Sequence, residues 1–220
     1  MYFHKHPYSP FIPKNATKLI VGTLPPPRFS MGNLKEGDVD FCYGSIDGQL
    51  WKILDKLFNL NLHFETTSFA IQQRKDFLLK NNIGICDIVE SCERKNIDAS
   101  DLGMENIKLR NLLFYLSEFQ KVETLLLTGG NSKNGPEYHL RKLLKKENIP
   151  FVQIASETPK IHQFKLPNSK RIIKAVSLTA PSGSANRAVG SNLQYKLIKK
   201  QNPKFNTFDF RVMQYKKYFL

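Results

Sequence analysis

Short β-branched runs alternate with apolar stripes at helical spacing along the chain. In the first half, residues 18–22 predict a buried strand, whereas residues 49–60 repeat apolar side chains every three or four positions, as a helix does. A second helix, capped by Ser68, is predicted over residues 68–82, and a second strand follows over residues 83–89.

The second half of the chain continues this alternation. We predict a helix over 107–119, a strand over 122–128, a basic helix over 136–147, strands over 151–155 and 171–178, and a closing helix over 186–200. Strands that alternate with helices favour a parallel sheet covered by helices on both faces. The pattern therefore predicts an α/β fold.

No repeat or linker divides the chain. We expect a single domain over residues 1–220, with an N-terminal arm over 1–16 and a C-terminal tail over 203–220. In the tail, aromatic and polar residues alternate, which predicts an edge strand or a short packed arm.

Composition and charge narrow the class of protein. Hydrophobic residues make up 41% of the chain and charged residues 24%, which is typical of a globular protein, and no apolar run approaches the ~18 residues of a membrane helix. The first 13 residues lack the apolar core of a signal peptide, so we expect a cytoplasmic protein. The net charge of +14 favours a polyanionic partner, nucleic acid before a membrane surface, because the basic residues form no single cationic helix.

The metal-binding residue types are few and poorly spaced. Cys42, Cys86 and Cys92 form neither a disulfide framework nor a zinc set, and we interpret them as reduced thiols. His4 and His6 lie in the terminal arm without a nearby carboxylate cluster, so we interpret them as mobile surface histidines. We expect neither a metal nor a cofactor.

Two distant bends follow predicted strands: residues 22–29 and residues 180–186. Each would lie at the carboxyl edge of a parallel sheet, where open α/β folds bind their ligands. The prolines at positions 25–27 remove three backbone donors, which excludes a phosphate-cradling glycine loop. Such a rigid turn can instead hold Gly22 and Thr23 beside a flat ligand and direct Arg28 outwards.

Three further residues and one loop carry candidate chemistry, each with a structural alternative. Tyr43 could stack on a planar base close to the carboxylate of Asp47, or Tyr43 could be core and Asp47 a helix cap. Asp87 could bind the edge of a base or cap the next turn. Residues 181–184 offer hydroxyls and N–H groups to a phosphate, or form a simple capped loop.

Four segments in this order resemble the uracil-DNA glycosylase superfamily, and within it the mismatch-specific and hypoxanthine-acting branches. They are LIVGTLP at residues 19–25, YGSIDGQLW at residues 43–51, IGICDIVESCER at residues 83–94 and APSGSAN at residues 180–186. The likeness spans about residues 18–200. It implies a three-layer αβα sandwich with a short, mainly parallel central sheet.

The resemblance also implies a function. A monofunctional, cofactor-free monomer would hydrolyse the N-glycosidic bond of a uracil, hypoxanthine or xanthine base flipped from duplex DNA, in base excision repair. By their places in the motifs, we expect Asp47 and Ser182 to be catalytic. We expect the base pocket to be formed by Gly22, Thr23, Leu24, Pro25, Tyr43 and Asp87. We expect DNA contacts from Arg28, Ser182, Gly183, Ser184, Asn186 and Arg187.

The sequence departs from the family's motifs at three positions. Thr23 stands in the first motif where some relatives have Asp or Asn, Gly48 where hypoxanthine-acting relatives have Asn, and Ala180 where the second motif often begins with His or Asn. Two rival hypotheses stay open, and the departures favour the first. One is a nucleic-acid-binding protein that has lost the chemistry, and the other is an enzyme acting on free nucleosides.

Overall fold

The computed structural model describes residues 1–220. Its strands are β1 (Tyr2–Lys5), β2 (Lys18–Val21), β3 (Ile83–Ile85), β4 (Val89–Arg94), β5 (Met104–Leu109), β6 (Thr124–Leu127), β7 (Val152–Ala155), β8 (Lys160–Lys165) and β9 (Ile172–Ser177). Its helices are α1 (Pro27–Ser30), α2 (Leu50–Phe58), α3 (Ser68–Lys80), α4 (Leu112–Glu118), α5 (Pro136–Lys146), α6 (Asn186–Ser191), α7 (Leu193–Gln201) and α8 (Thr207–Phe219).

The central sheet has six strands in the order β3-β2-β6-β9-β8-β7. The four strands from β3 to β9 are parallel, and β8 and β7 extend this sheet in antiparallel fashion. The parallel strands are short apolar runs because both of their faces are covered. The predicted α/β fold with a mainly parallel central sheet is confirmed.

Side chains of the central strands alternate between two hydrophobic cores. In β2, Leu19 and Val21 enter one core, whereas Ile20 enters the other. The first core also receives apolar side chains of α4 and α5, and the second receives those of α2, α3 and α8. The sheet is therefore the middle of three layers.

A second, antiparallel sheet of order β1-β4-β5 was not expected from the sequence. The strand predicted over residues 83–89 ends at Ile85, and the chain turns before β4 begins. The helix predicted over 107–119 starts only at Leu112, because Met104–Leu109 pairs with β4. The N-terminal arm supplies β1, whose pairing with β4 buries His4 completely. The prediction that His4 is a mobile surface residue is therefore wrong.

The C-terminal tail forms a helix, so the predicted edge strand or short arm is wrong. Asn206 and Asp209 form a capping box at the start of α8. Helical spacing then buries Tyr215 and Phe219 in the second core, whereas Phe210 is buried against Tyr195 of α7. The alternation in the sequence covers only the first residues of this segment, and the capping signal at Asn206 was missed.

Smaller corrections concern helix ends and one strand. Thr67, not Ser68, caps α3 by accepting a hydrogen bond from the Ala70 amide. The closing helix is interrupted at Asn192, whose side chain caps α7. Strand β8 was not predicted. No helix combines the length and the apolar character that crossing a bilayer would require.

Candidate functional site

A cleft of about 1200 Å³ opens at the carboxyl ends of the parallel strands. Its lining comes from the segments that follow β2, β3, β6 and β9, and from the loop before α2. In parallel sheets, this edge gathers the loops where ligands bind. The sequence placed the two bends at this same edge.

Both predicted bends line the cleft and meet through the loop before α2. The amide of Gln49 donates a 2.8 Å hydrogen bond to the carbonyl of Pro181, and Gly48 pairs with Ser182 in antiparallel fashion. Thr23 to Pro26 line the same cavity. Three segments that are far apart in sequence therefore surround one space.

Asp87 forms the centre of the cleft floor, where its residue is only 5% exposed. Its Oδ1 accepts hydrogen bonds from the amide of Gly22 and from the hydroxyl of Tyr43, both at 2.8 Å, and its Oδ2 lies 2.9 Å from Nε2 of His6. Because Nδ1 of His6 accepts from the Tyr8 amide at 3.1 Å, the neutral ring carries its proton on Nε2 and donates it to Asp87. The interpretation of His6 as a mobile surface residue is therefore wrong.

Gly22 and Tyr43 pack closely against each other beside Asp87, and Tyr43 forms the cleft floor together with Asp87. A Cβ atom at position 22 would overlap the Tyr43 hydroxyl and approach Oδ1 of Asp87 and Oγ1 of Thr128 to 2.9 Å each. Tyr43 itself has a φ of 58°, in the left-handed region that non-glycine residues seldom adopt. Burial, and then the nearby Asp87 charge, raise the pKa of Tyr43 well above its ordinary value, so this hydroxyl stays protonated and donates.

Asp101 provides a carboxylate that sequence reasoning missed. It lines the cleft, and its Oδ1 accepts a 2.8 Å hydrogen bond from Oγ1 of Thr23. Desolvation by burial raises the pKa of Asp101 to about 6, against the lowering effects of the Thr23 hydroxyl and the Arg94 charge. Ser100 and Asp101 begin a short helical turn, but no local signal predicts a contact between residues 78 positions apart.

Glu137, in the first turn of α5, is a second carboxylate of the cleft lining that sequence reasoning missed. It is 1% exposed, and its Oε2 accepts a 2.7 Å hydrogen bond from the hydroxyl of Ser177. Its Oε1 accepts from Arg141 at 2.7 and 2.9 Å. In this helix, which the sequence predicts to be basic, Arg141 neutralises a buried carboxylate.

Asp47 and the second bend lie towards the mouth of the cleft. The side chain of Asp47 is 68% exposed, and its Oδ2 is 3.5 Å from Arg28 and 3.6 Å from Lys35. Asp47 does not cap α2, whose N-cap position is Gln49. Ser182 lines the mouth, and its hydroxyl bonds that of Ser184 at 2.9 Å. Gly183 beside them is exposed.

Several predicted DNA contacts lie outside the lining of the cleft. Arg28 donates two hydrogen bonds to the carboxylate of Asp38, at 2.7 and 2.8 Å, and so braces the loop that carries Tyr43. Asn186 accepts hydrogen bonds from Arg211 and Thr207 at 3.0 Å each. For Arg28 and Asn186 the structure thus gives bracing roles, whereas Arg187 is exposed.

The charges that line the cleft are mainly acidic, although the chain carries +14. The carboxylates of Asp47, Asp87, Asp101 and Glu137 share the lining with only two lysines, Lys133 and Lys160. Arg28 and Lys35 lie beside Asp47 at the mouth without lining the cleft, so few of the chain's cations face this cavity. No group of three or more His, Cys, Asp or Glu side chains is arranged to hold a metal ion.

The comparison with known proteins rests on the fold. Neither a protein-family profile nor a curated protein matches this sequence. The fold is similar to the solution NMR structure of a protein from Methanosarcina acetivorans that is named a putative uracil DNA glycosylase. The TM-score is 0.54 at 14% identity, over 96% of this chain and 99% of that chain. The two proteins therefore share an α/β fold along their whole lengths.

Proposed function

We propose that this protein is a DNA glycosylase of the uracil-DNA glycosylase superfamily, acting on a deaminated or damaged base flipped from duplex DNA. The observation that carries the proposal is the meeting of the bends around Thr23, Gly48 and Ser182 at one cleft, above the floor formed by Tyr43 and Asp87. The fold shared with the M. acetivorans protein supports the same interpretation. In this proposal the enzyme works as a cytoplasmic monomer in base excision repair, with uracil, hypoxanthine or xanthine as substrate.

The lining of the cleft suits a planar base. Thr23, Leu24 and Pro25 line the cleft at the rigid proline turn, and Tyr43 lines it with its hydroxyl bonded to Asp87. A flipped base would be held between these surfaces, and the hydroxyls and backbone amides nearby could bind its polar edge. Flipping costs about a few kcal/mol, and least for a mispaired base.

Cleavage of the N-glycosidic bond places positive charge on the sugar and negative charge on the leaving base. Asp47 at the mouth supplies a carboxylate on the side where the DNA backbone would lie, which stabilises the sugar cation. Ser182 and Ser184 supply hydroxyl donors to a phosphate or to the leaving base. Gly183, which is exposed between them, lets the DNA backbone approach this bend closely.

The test is release of a base from defined duplexes. Purified protein is incubated with duplexes containing a single uracil, hypoxanthine or xanthine, and abasic sites are then cleaved with alkali. We expect strand scission on at least one of the three, and none on the undamaged duplex. A known glycosylase assayed alongside checks each substrate. Absence of scission on all three would refute the enzymatic proposal, and release from a free deoxynucleoside instead would favour a nucleoside hydrolase.

A second candidate function is nucleic-acid binding without catalysis. The observation that favours it is that Asp87, the best placed carboxylate of the floor, already accepts three hydrogen bonds from the protein. Positions 48 and 180 carry Gly and Ala, which have no polar side chain to position water. Tight binding to an abasic duplex together with no base release, in both the wild type and Asp47→Ala, would select this function.

A further inference from the structure

We propose that Asp101, oriented by Thr23, is the general base that takes a proton from the attacking water. This inference rests on the proposed base-release activity and assigns its water-activating group. The sequence did not predict this role for either residue. Thr23 occupies the position of the first motif where some relatives have an Asp or Asn that positions the water. In this chain a hydroxyl occupies that position and binds a carboxylate from another element of the fold.

Comparison of the four carboxylates in the cleft singles out Asp101. Asp87 is bound by three protein donors, and Glu137 is neutralised by Arg141 and bound by Ser177. Asp47 is mostly exposed and lies close to two cations. In Asp101 only Oδ1 is engaged, by the uncharged Thr23 hydroxyl, and Oδ2 has no hydrogen-bond partner in the protein. Among the three carboxylates that are shielded from solvent, Asp101 is therefore the one that keeps an oxygen available for a water in the cleft.

The turn that carries Asp101 is held from two sides. The side chain of Asn134 donates to the carbonyls of Asp101 and Met104, at 2.9 and 3.0 Å. The buried guanidinium of Arg94 donates to the carbonyl of Ser100 at 2.6 Å. A general base needs a fixed position relative to the reacting atoms, and these bonds provide one.

The charge state of Asp101 suits this role. Its pKa of about 6 leaves the carboxylate ionised at pH 7 and more basic than an ordinary aspartate. The titratable and charged groups that face it are Arg94 and Cys92 from β4 and Asp87 from the cleft floor. The Arg94 charge lowers the pKa of Asp101, and the Asp87 charge raises it.

The proposed step balances as a hydrolysis. The bond between C1′ of the sugar and the base nitrogen breaks, and the base departs with the electron pair. The water oxygen bonds to C1′ while one water proton passes to Oδ2 of Asp101. That proton then leaves to solvent or to the departed base, so the products are a free protonated base and an abasic site with a hydroxyl on C1′.

The first test is single-turnover base release by the wild type and by Asp101→Asn. We expect the variant to be slower by about 100-fold or more, as is typical when a general base is lost. Its affinity for an abasic duplex should be unchanged. The wild-type rate should fall as pH drops through about 6, and the residual rate of the variant should not follow that limb. Glu105→Gln is the matched control, since Glu105 is an exposed carboxylate of the same hairpin and lies outside the cleft.

A second variant separates positioning from a purely structural role. Thr23→Val removes the hydroxyl that lowers the pKa of Asp101, so the acidic limb of the pH–rate profile should move to higher pH. A structural defect would reduce the rate at every pH without moving the limb. The circular dichroism spectrum of Asp101→Asn shows whether that variant folds. If it does not fold, the pH–rate profile of Thr23→Val still tests the role of Asp101.

The outcomes distinguish the two levels of the proposal. An active wild type with Asp101→Asn of equal rate and unchanged pH profile would overturn the role of Asp101 and leave the glycosylase proposal standing. An unmoved acidic limb in Thr23→Val would likewise overturn it. No base release by the wild type from any of the three duplexes would overturn the proposed function itself, and this inference with it.

Discussion

The hydroxyl of Tyr43 donates a 2.8 Å hydrogen bond to Oδ1 of Asp87, across 44 positions of sequence. The bond fixes the loop before α2 to the end of β3. The same oxygen receives the amide of Gly22, at the end of β2. One carboxylate oxygen therefore joins two of the segments that line the cleft, and His6 holds the other oxygen.

Asp87→Ala should destabilise the protein strongly. The substitution leaves the Gly22 amide, the Tyr43 hydroxyl and the His6 ring N–H buried without an acceptor, which we expect to cost about 3 kcal/mol in free energy of unfolding. Urea denaturation measures this loss. Asp47→Ala is the matched comparison for stability, because its exposed carboxylate should change the free energy of unfolding by less than about 0.5 kcal/mol. Equal stability of the two variants would contradict the central role of Asp87.

Gly22→Ala should displace Tyr43 from the floor. The added methyl group would overlap the Tyr43 hydroxyl and crowd Asp87 and Thr128, none of which is a free surface group. We expect a loss of about 1–3 kcal/mol in unfolding free energy from overpacking, and at least a tenfold loss of any base release, because a small misplacement of groups at a site is costly. Gly130→Ala is the control, since a Cβ atom there meets nothing within 4 Å. Equal unfolding free energies and equal base-release rates for the two variants would show that Tyr43 and Asp87 can shift to accommodate the methyl group.

Much of the fold could be predicted from the sequence, because parallel strands buried on both faces are short apolar runs such as Leu19–Val21 and its neighbour in β6. The secondary-structure prediction failed where the same apolar residues fit both helical and strand spacing. Ile107 and Leu109 fit the helix that begins at Leu112, yet they lie in a strand because β4 offers a backbone partner. That pairing is a long-range contact, which local spacing does not reveal.

For the site too, local sequence predicted the position of the segments but not the long-range contacts of their side chains. The rule that ligands bind at the carboxyl edge of a parallel sheet was enough to bring the two bends together. The partners of each side chain depend on contacts between distant segments. Thr23 with Asp101, and His6 with Asp87, lie 78 and 81 positions apart. Asp47 could be predicted because it lies within a motif. Asp101 lies in none of the motifs, so local sequence offered no reason to select it.

Lys133 and Lys160 should carry part of the salt dependence of DNA binding. They are the two lysines in the lining of the cleft, and both are exposed. Removing one lysine that binds a phosphate should reduce the slope of log K against log salt by about 0.9, so the double substitution to Ala should reduce it by about 2. Fluorescence anisotropy with an abasic duplex from 50 to 200 mM salt, roughly the range over which such interactions weaken, measures the slope.

The matched control for that experiment is Lys80→Ala. Lys80 ends α3 shortly before β3 begins at Ile83, so it lies near the amino edge of the sheet, away from the cleft. It is exposed, and its substitution removes the same kind of charge. We expect its slope to equal that of the wild type. A reduction in slope of about 0.9, half that of the double variant, would mean that DNA binds by total charge and not at the cleft.

Asp101→Asn should stabilise the protein near neutral pH, even though it is expected to abolish most of the activity. The pKa of Asp101 is about 6 in the folded protein and close to 3.8 in the unfolded chain. Between these values the folded state holds a proton that the unfolded state has released, so stability falls as pH rises through this window. Above pH 6 the folded protein carries the full cost of a partly buried charge. Asn keeps an acceptor for the Thr23 hydroxyl without that charge.

Urea denaturation of Asp101→Asn at two pH values measures this cost. We expect the variant to gain about 1–2 kcal/mol at pH 7.5 and close to nothing at pH 4. Glu105→Gln, at an exposed site, should gain little at either pH. Residues kept for chemistry often lower the stability of the fold, so replacing them raises it. A variant less stable than the wild type at pH 7.5 would show instead that the Asp101 carboxylate stabilises the fold.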